Sequence, residues 1–396
     1  MQPKKKIHEY NRDDRYNNPG RFITGPNQYG RNALLFSDRG KSLLLSGSGA
    51  SPEGDRPFID KYEIEGGRTT RLWRSEAPYY ETPVTVIDIA KGLILTTRQS
   101  VTEVPDYYLR NLKTRKTIRV TSFDNPYPQL AGIHKELVRY RRNDSVELSF
   151  TLYLPEGYDR KRDGPLPTLL WAYPREFNDP SAAGQVSGSP YSFTRISPAS
   201  ALVYVTQGYA ILMDASFPIV GVEGKEPNDT FVAQLVANAE AAIDKAVEMG
   251  VTDRERVAVS GHSYGAFMTA NLLSHSRLFA AGIAESGAYN RTLTPFGFQN
   301  ERRNYWEAPD VYNTMSPFMN ADKVKDPIML IHGMADNNSG TFPIQSERYY
   351  TALKGFGATV RLVMLPHESH GYAARESILH KHWEVLQWMD KYVKAK

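Results

Sequence analysis

The chain has 396 residues, of which 41% are hydrophobic and 23% charged, with a formal net charge of +4. That length accommodates two domains or more, and the balance is that of an ordinary soluble globular protein. The small basic excess is scattered rather than striped, which gives no case for nucleic acid, and the lack of cysteine excludes a disulfide framework, a thiolate nucleophile and cysteine zinc sites.

The first 30 or so residues are polar, rich in Asn, Arg, Gly and Pro, and read as irregular, with Lys4, Lys5 and Lys6 as a solvated basic run. They lack the apolar core of a signal peptide, and no later run is long enough to span a bilayer. Taken as complete, the chain is expected to be cytoplasmic and to have no membrane partner.

From about 33 to 135 the texture is short β segments, at 43–45, 58–64, 71–74, 84–89, 92–97, 107–110 and 118–121. Gly66-Gly67 and residues 111–114 suit hairpin turns between them. Seven or eight strands in this span amount to about two four-stranded propeller blades, at about 40–50 residues each. Two blades close no ring, and open sheet edges invite association. The β region is therefore a small sandwich, the end of a longer propeller, or a surface covered by further copies in a homo-oligomer.

Residues 123–129 read as a linker, so the expected domains are a β-rich region at 1–130 and an α/β region at 131–396. The latter starts with a hairpin, 135–140 and 147–154, and then alternates. Strands are expected at 167–173, 208–213, 257–259, 281–284, 328–331 and 360–365, with helices at 199–207, 229–249 and 376–394. In the long helix Asp229 is the expected N-cap and Gly250 the stop. Strands alternating with helices imply a mostly parallel sheet with helices on both faces.

Gly261-His262-Ser263-Tyr264-Gly265 sits between an apolar strand and an apolar helix. A sharp strand-to-helix turn there exposes the central serine at its tip, and small flanking residues relieve the crowding. Ser263 is thus the expected nucleophile, activated by a histidine that a carboxylate orients. Both partners are expected on loops after later strands. The run His332-Gly-Met-Ala-Asp336 follows the strand at 328–331, which puts Asp336 at the carboxyl edge of the sheet; Asp310, Asp322 and Asp326 precede that strand.

After the next strand comes Leu365-Pro-His367-Glu-Ser-His370-Gly-Tyr372. His370 is preferred as the base because Gly371 permits a tight turn, with His367 as runner-up. His262 is expected to orient the loop or shape the substrate pocket, and His332 to pack. The Tyr264 N–H is the first expected oxyanion donor. Tyr173, on the loop after the strand at 167–173, offers its phenol O–H as a second.

These segments resemble the prolyl oligopeptidase family of serine peptidases, and most its glutamyl endopeptidase branch. The likeness rests on Trp171-Ala-Tyr-Pro-Arg-Glu-Phe177, Ala182-Ala-Gly-Gln-Val-Ser-Gly-Ser-Pro190, the stretch from Gly261 to Leu273, Ser286-Gly-Ala-Tyr-Asn-Arg291, and the two loops carrying Asp336 and His370. It covers roughly 135–396, and Gly47-Ser-Gly-Ala-Ser-Pro-Glu-Gly54 extends it into the β region. The resemblance implies an α/β-hydrolase fold and a Ser263-Asp336-His370 triad with Tyr173 as side-chain oxyanion donor. It also implies that the β region is the end of a propeller gating access; family members are typically about twice as long.

Cleavage after Glu calls for a cation in the pocket, since an unpaired buried carboxylate is costly. Arg291 is the first candidate, in a segment that lines this pocket in the family; Arg175 and the pair Arg302-Arg303 are alternatives. The expected activity is therefore peptide-bond hydrolysis through an acyl-enzyme, on peptide substrates and without metal or cofactor. A carboxylesterase of the same fold, or an inactive interaction module, are the other readings.

Overall fold

The computed structural model describes residues 6–395, so Lys4 and Lys5 of the basic run lie outside the described residues. The chain forms two compact units. One runs up to Ala131 and also includes Gln185–Arg195; the other comprises Gly132–Gly184 and the chain from Ile196 onward. Where composition suggested one break near 130, the backbone passes between units three times.

The first unit is built from antiparallel sheets. One follows the path Arg21–Phe22, Ser42–Gly47, Phe58–Glu63, Thr69–Arg74, with Phe36–Ser37 also paired to the Ser42–Gly47 strand. The other is a four-stranded meander of Tyr80–Asp88, Leu93–Gln99, Asp106–Asn111 and Thr117–Arg119. Leu44 and Ile59 of the first sheet and Ile94 of the meander form a buried cluster, with Trp73, Val86 and Leu112 packed around them. Glu81 is buried, but the Arg110 guanidinium grips it at 2.7 and 2.9 Å and the Thr96 hydroxyl at 2.6 Å, so the carboxylate is fully matched. The segment before residue 38, expected to be irregular until about 30, already pairs at Arg21–Phe22 and in the hairpin Thr24–Pro26 with Asn32–Leu34. Those short strands are largely exposed, so no apolar alternation marks them.

The second unit has one eight-stranded sheet. In chain order its strands are β1 (His134–Arg141), β2 (Glu147–Leu154), β3 (Leu166–Ala172), β4 (Ala210–Ala215), β5 (Thr252–His262), β6 (Ala281–Glu285), β7 (Ile328–Gly333) and β8 (Val360–Leu365). Their order in the sheet is β1-β2-β4-β3-β5-β6-β7-β8. The β1–β2 hairpin is antiparallel and joins β4 antiparallel; every pair from β4 to β8 is parallel. Strands covered on both faces read as unbroken apolar runs, and every residue of β7 is buried.

Helices α1 (Phe231–Glu248), α2 (Tyr264–His275), α3 (Ile344–Gly355) and α4 (Arg375–Met389) are the longest of this unit. Helix α1 buries Phe231, Leu235, Ala239, Ala242, Ile243 and Ala246 at helical spacing. Contrary to the sequence expectation, Asp229 is not its N-cap. Its carboxylate accepts the Glu226 N–H at 3.0 Å and opens the 3₁₀ turn Pro227–Thr230, after which α1 begins. Helix α2 is buried along nearly its whole length, from Tyr264 to Ser274. The elbow thus sits where β5, in mid-sheet, runs into a helix locked in the core.

Candidate active site

Ser263 has φ 60° and ψ −114°, a conformation that costs a non-glycine residue free energy and needs its surroundings to hold it. Three contacts do so. The Ser263 N–H donates to the Glu285 carbonyl at the end of β6 at 2.8 Å. A Cβ on Gly261 would lie 2.5–2.6 Å from the Gly265 backbone, and one on Gly265 would lie 2.6 Å from the Ala172 carbonyl. Only glycine allows that approach, so the turn is held by backbone against backbone. Tyr264 opens α2, and the N–H of a first helical residue has no acceptor within its own helix.

Asp336 and His370 meet. Asp336 Oδ2 is 2.9 Å from His370 Nδ1, with the Asp336 side chain fully buried and His370 one quarter exposed. Facing a carboxylate, Nδ1 carries the proton, which leaves Nε2 free to accept one. His367 is exposed and makes no part of this pair. The tight turn is not made at Gly371, as expected, because Gly371 has no neighbour that would exclude a side chain. Instead His367 takes φ +62°. The Glu368 carboxylate then accepts the N–H groups of Ala373 and Ala374 at 2.8 and 2.9 Å, which ties the loop into α4.

His332 does more than pack. Its Nε2 faces two acceptors, the Thr341 carbonyl at 2.7 Å and Asp336 Oδ2 at 3.1 Å, so it carries the hydrogen; Nδ1 accepts the Ser346 hydroxyl at 2.6 Å. Burial pushes its pKa down and keeps it neutral. Asp336 Oδ2 therefore receives two imidazole N–H groups, while Oδ1 receives the Asn338 N–H at 2.9 Å. The spacing His332 to Asp336 was visible in sequence, but nothing local told a packing histidine from a donor.

His262 does not line the cavity beside Ser263. Its Nε2 is 2.6 Å from the His370 carbonyl and the two rings lie 4.6 Å apart, so the elbow braces the loop of the base directly. Tyr173 lies edge-on to Tyr264 with ring centroids 5.9 Å apart, and its hydroxyl accepts the Gln299 amide at 3.3 Å.

A cavity of about 500 Å³ opens beside Ser263 and Tyr264; Arg291, Leu293, Phe296, Phe298 and Phe342 contribute to its wall. Arg291 is 5% exposed, and its guanidinium lies over three rings, 4.2 Å from Phe267, 4.5 Å from Phe298 and 5.4 Å from Tyr264. Its Nε is buried without a hydrogen-bond partner, and among the described residues no carboxylate forms an ion pair with it. Burial lowers its pKa to about 10, so it stays a cation. The other arginines fare differently. Arg175 is exposed and outside the cavity, because β alternation on the strand Arg175–Phe177 turns Glu176 inward instead. Arg303 is taken up by Glu301 and Asp229 at 2.8 Å each, and Arg302 is also exposed.

Residues 233–396 match the model of the prolyl oligopeptidase family, and residues 144–293 that of the X-Pro dipeptidyl-peptidase (S15) family. An Arabidopsis thaliana protein named "Probable glutamyl endopeptidase, chloroplastic" is 52% identical over 96% of this chain, and its Oryza sativa counterpart of the same name is 51% identical over 96%. The chain spans 41% and 42% of those relatives' lengths. Both names assign the plant proteins to the chloroplast, which does not fit the cytoplasmic expectation; among the described residues no helix is long and apolar enough to cross a membrane. The crystal structure of Porphyromonas gingivalis dipeptidyl peptidase 4 matches with a TM-score of 0.67 at 17% identity, over 94% of this chain and 50% of that one. At that identity the likeness speaks for fold: an α/β-hydrolase preceded by a propeller-like β region. Sequence, relatives and fold together identify the chain as carrying a domain of the prolyl oligopeptidase family.

Proposed function

We propose that this chain is the catalytic portion of a serine peptidase that prefers peptide bonds after glutamate. His370 Nε2 takes the Ser263 hydroxyl proton as Oγ attacks the peptide carbonyl. Asp336 holds the imidazole in its Nδ1–H tautomer and stabilises the imidazolium that forms. The tetrahedral oxyanion rests on the Tyr264 N–H and the Tyr173 hydroxyl; loss of one such donor typically costs about 10²–10³ in kcat. His370 then returns the proton to the leaving amine. Water, activated in the same way, hydrolyses the acyl-enzyme.

The observation that carries the glutamate preference is Arg291, a buried guanidinium that borders the cavity beside Ser263 and has ring faces but no carboxylate bound directly to it, among the described residues. A desolvated cation without a directly bound counter-ion is costly, and an entering side-chain carboxylate that reaches it relieves that cost. The names of the plant relatives support the same preference.

The first test is labelling with a fluorophosphonate together with peptide turnover. Wild type is expected to label, Ser263→Ala not to label, and Glu peptides to be cleaved well ahead of matched Gln peptides. Arg291→Met should still label while losing the Glu-over-Gln preference. Equal labelling of wild type and Ser263→Ala would remove the nucleophile, and equal turnover of Glu and Gln peptides by wild type would remove the specificity.

A further inference from the structure

The environment of Arg291 contains a carboxyl group for which the reaction above has no use. Glu176 is 7% exposed, and its Oε1 accepts the Tyr264 hydroxyl at 2.6 Å. The ring of that same tyrosine lies 5.4 Å from the Arg291 guanidinium, so one side chain separates the anion from the cation. Burial pushes the Glu176 carboxyl up, and the Tyr264 hydrogen bond and the Arg291 charge only partly offset this. The other charged group facing it is Glu301. Burial pushes that carboxyl up too, but the Arg303 guanidinium overrides this and holds it below its usual range, ionised and already paired. Tyr173 and Tyr312 also face Arg291. Arg291 is thus the cation whose charge acts on Glu176, and among the described residues no carboxylate is bound to it.

We propose that Glu176 is the resident counter-charge of Arg291 and takes up a proton from solvent when an acidic side chain enters the cavity. The proposal rests on the reading of Arg291 as the partner of the substrate glutamate. Two carboxylates and one guanidinium in a desolvated site leave an uncompensated negative charge, and one of the two must neutralise. The substrate carboxylate gains direct contact with the guanidinium, whereas Glu176 is held a ring's width away by Tyr264. Glu176 is therefore the group that changes from carboxylate to carboxylic acid. No other bond is made or broken. Affinity for an acidic side chain then falls as pH rises: above the pH at which free Glu176 ionises, KM for a Glu peptide grows toward tenfold per pH unit. A Gln peptide, which brings no second charge, shows no such slope.

Titration calorimetry on Ser263→Ala, which leaves peptides intact, tests this in two buffers of different ionisation enthalpy. Binding of a Glu peptide is expected to take up a proton, approaching one per site with rising pH, and binding of the matched Gln peptide none. Glu176→Gln in the same background should bind the Glu peptide without that uptake and with a flat pH dependence. Tyr264→Phe removes the hydrogen bond that favours the charged carboxyl, so the onset of the KM slope should move to higher pH. Tighter binding of Glu than of Gln with no proton uptake, or uptake that survives Glu176→Gln, overturns the role of Glu176 alone. Equal binding of the two peptides overturns the reading of Arg291 itself.

Discussion

One carboxylate oxygen, Asp336 Oδ2, lies between His370 at 2.9 Å and His332 at 3.1 Å. The second histidine is a rigid donor: fully buried, neutral, and fixed at its other nitrogen by Ser346. Replacing it with Phe leaves the Asp336 oxygen one donor short, a loss worth about 1–3 kcal/mol for a buried acceptor. The less satisfied carboxylate pulls harder on the His370 proton. His332→Phe is therefore expected to lower kcat/KM by roughly tenfold or more and to move the acid limb of its pH profile upward, and His332→Gln, which restores an N–H, to return part of both. An unmoved acid limb in a folded His332→Phe protein would make the residue structural only. This role was illegible in the sequence, as was that of Glu176. The positions of Ser263, Asp336 and His370 at strand ends could be read from the strands they follow, whereas Ser346, which fixes the His332 ring, and Tyr264, which bonds Glu176, lie farther along the chain.

At the level of elements, the loops bearing Asp336 and His370 are packed backbone against backbone at Gly333. A Cβ on Gly333, the last residue of β7, would lie 2.3 Å from the Ser369 carbonyl and 2.4 Å from that of Glu368. Gly333→Ala must push the loops apart, and a misplacement on the order of 1 Å can cost about 10²-fold in rate. Circular dichroism close to wild type with kcat reduced by about that factor is the expected outcome; unchanged kcat would show that the contact yields without moving the pair. Element prediction itself succeeded where apolar periodicity was clean, as in β3, β7 and α1. It missed α3 because the buried face of that helix is partly polar: Gln345 binds Asn290 and Ser346 binds His332. It also shortened β5, whose first half, Thr252–Arg256, carries charged residues and is only partly covered.

For the molecule as a whole, four histidines are held neutral by burial. His262, His275, His332 and His382 all have pKa values lowered from 6.5 in the folded chain. As pH falls through 6.5 the unfolded chain takes up protons that the folded chain refuses, so stability is present above that value and is lost below it. The limiting slope is about 1.4 kcal/mol per pH unit for a fully buried site such as His332, and less for the three half-buried ones, where solvent screens the charge. Thermal unfolding should show Tm level from pH 8 to 7 and falling steadily from about 6.5 to 5. A Tm that held level to pH 5 would mean these rings protonate freely in the folded state. The mostly parallel character of the second unit's sheet and the hairpins of the first follow from patterns visible in the sequence, but the return of residues 185–195 to the first unit does not. That segment is loop-like: Val186 and Phe193 are its buried apolar side chains, without helical or strand periodicity, and hydrogen bonds supply the rest of its anchorage.

Those bonds are specific: Arg15 N–H to Gln185 Oε1 at 2.6 Å, Asp55 N–H to the Gly188 carbonyl at 2.7 Å, and Phe193 N–H to Gln99 Oε1 at 2.9 Å. They set an order on biosynthesis. A ribosome that has made residue 131 has not yet supplied everything the first unit needs; that material arrives only after β1, β2 and β3 of the other unit have emerged. The N-terminal unit therefore waits, incomplete, while its successor begins, and the usual sequence of one domain finishing before the next starts is closed to this chain.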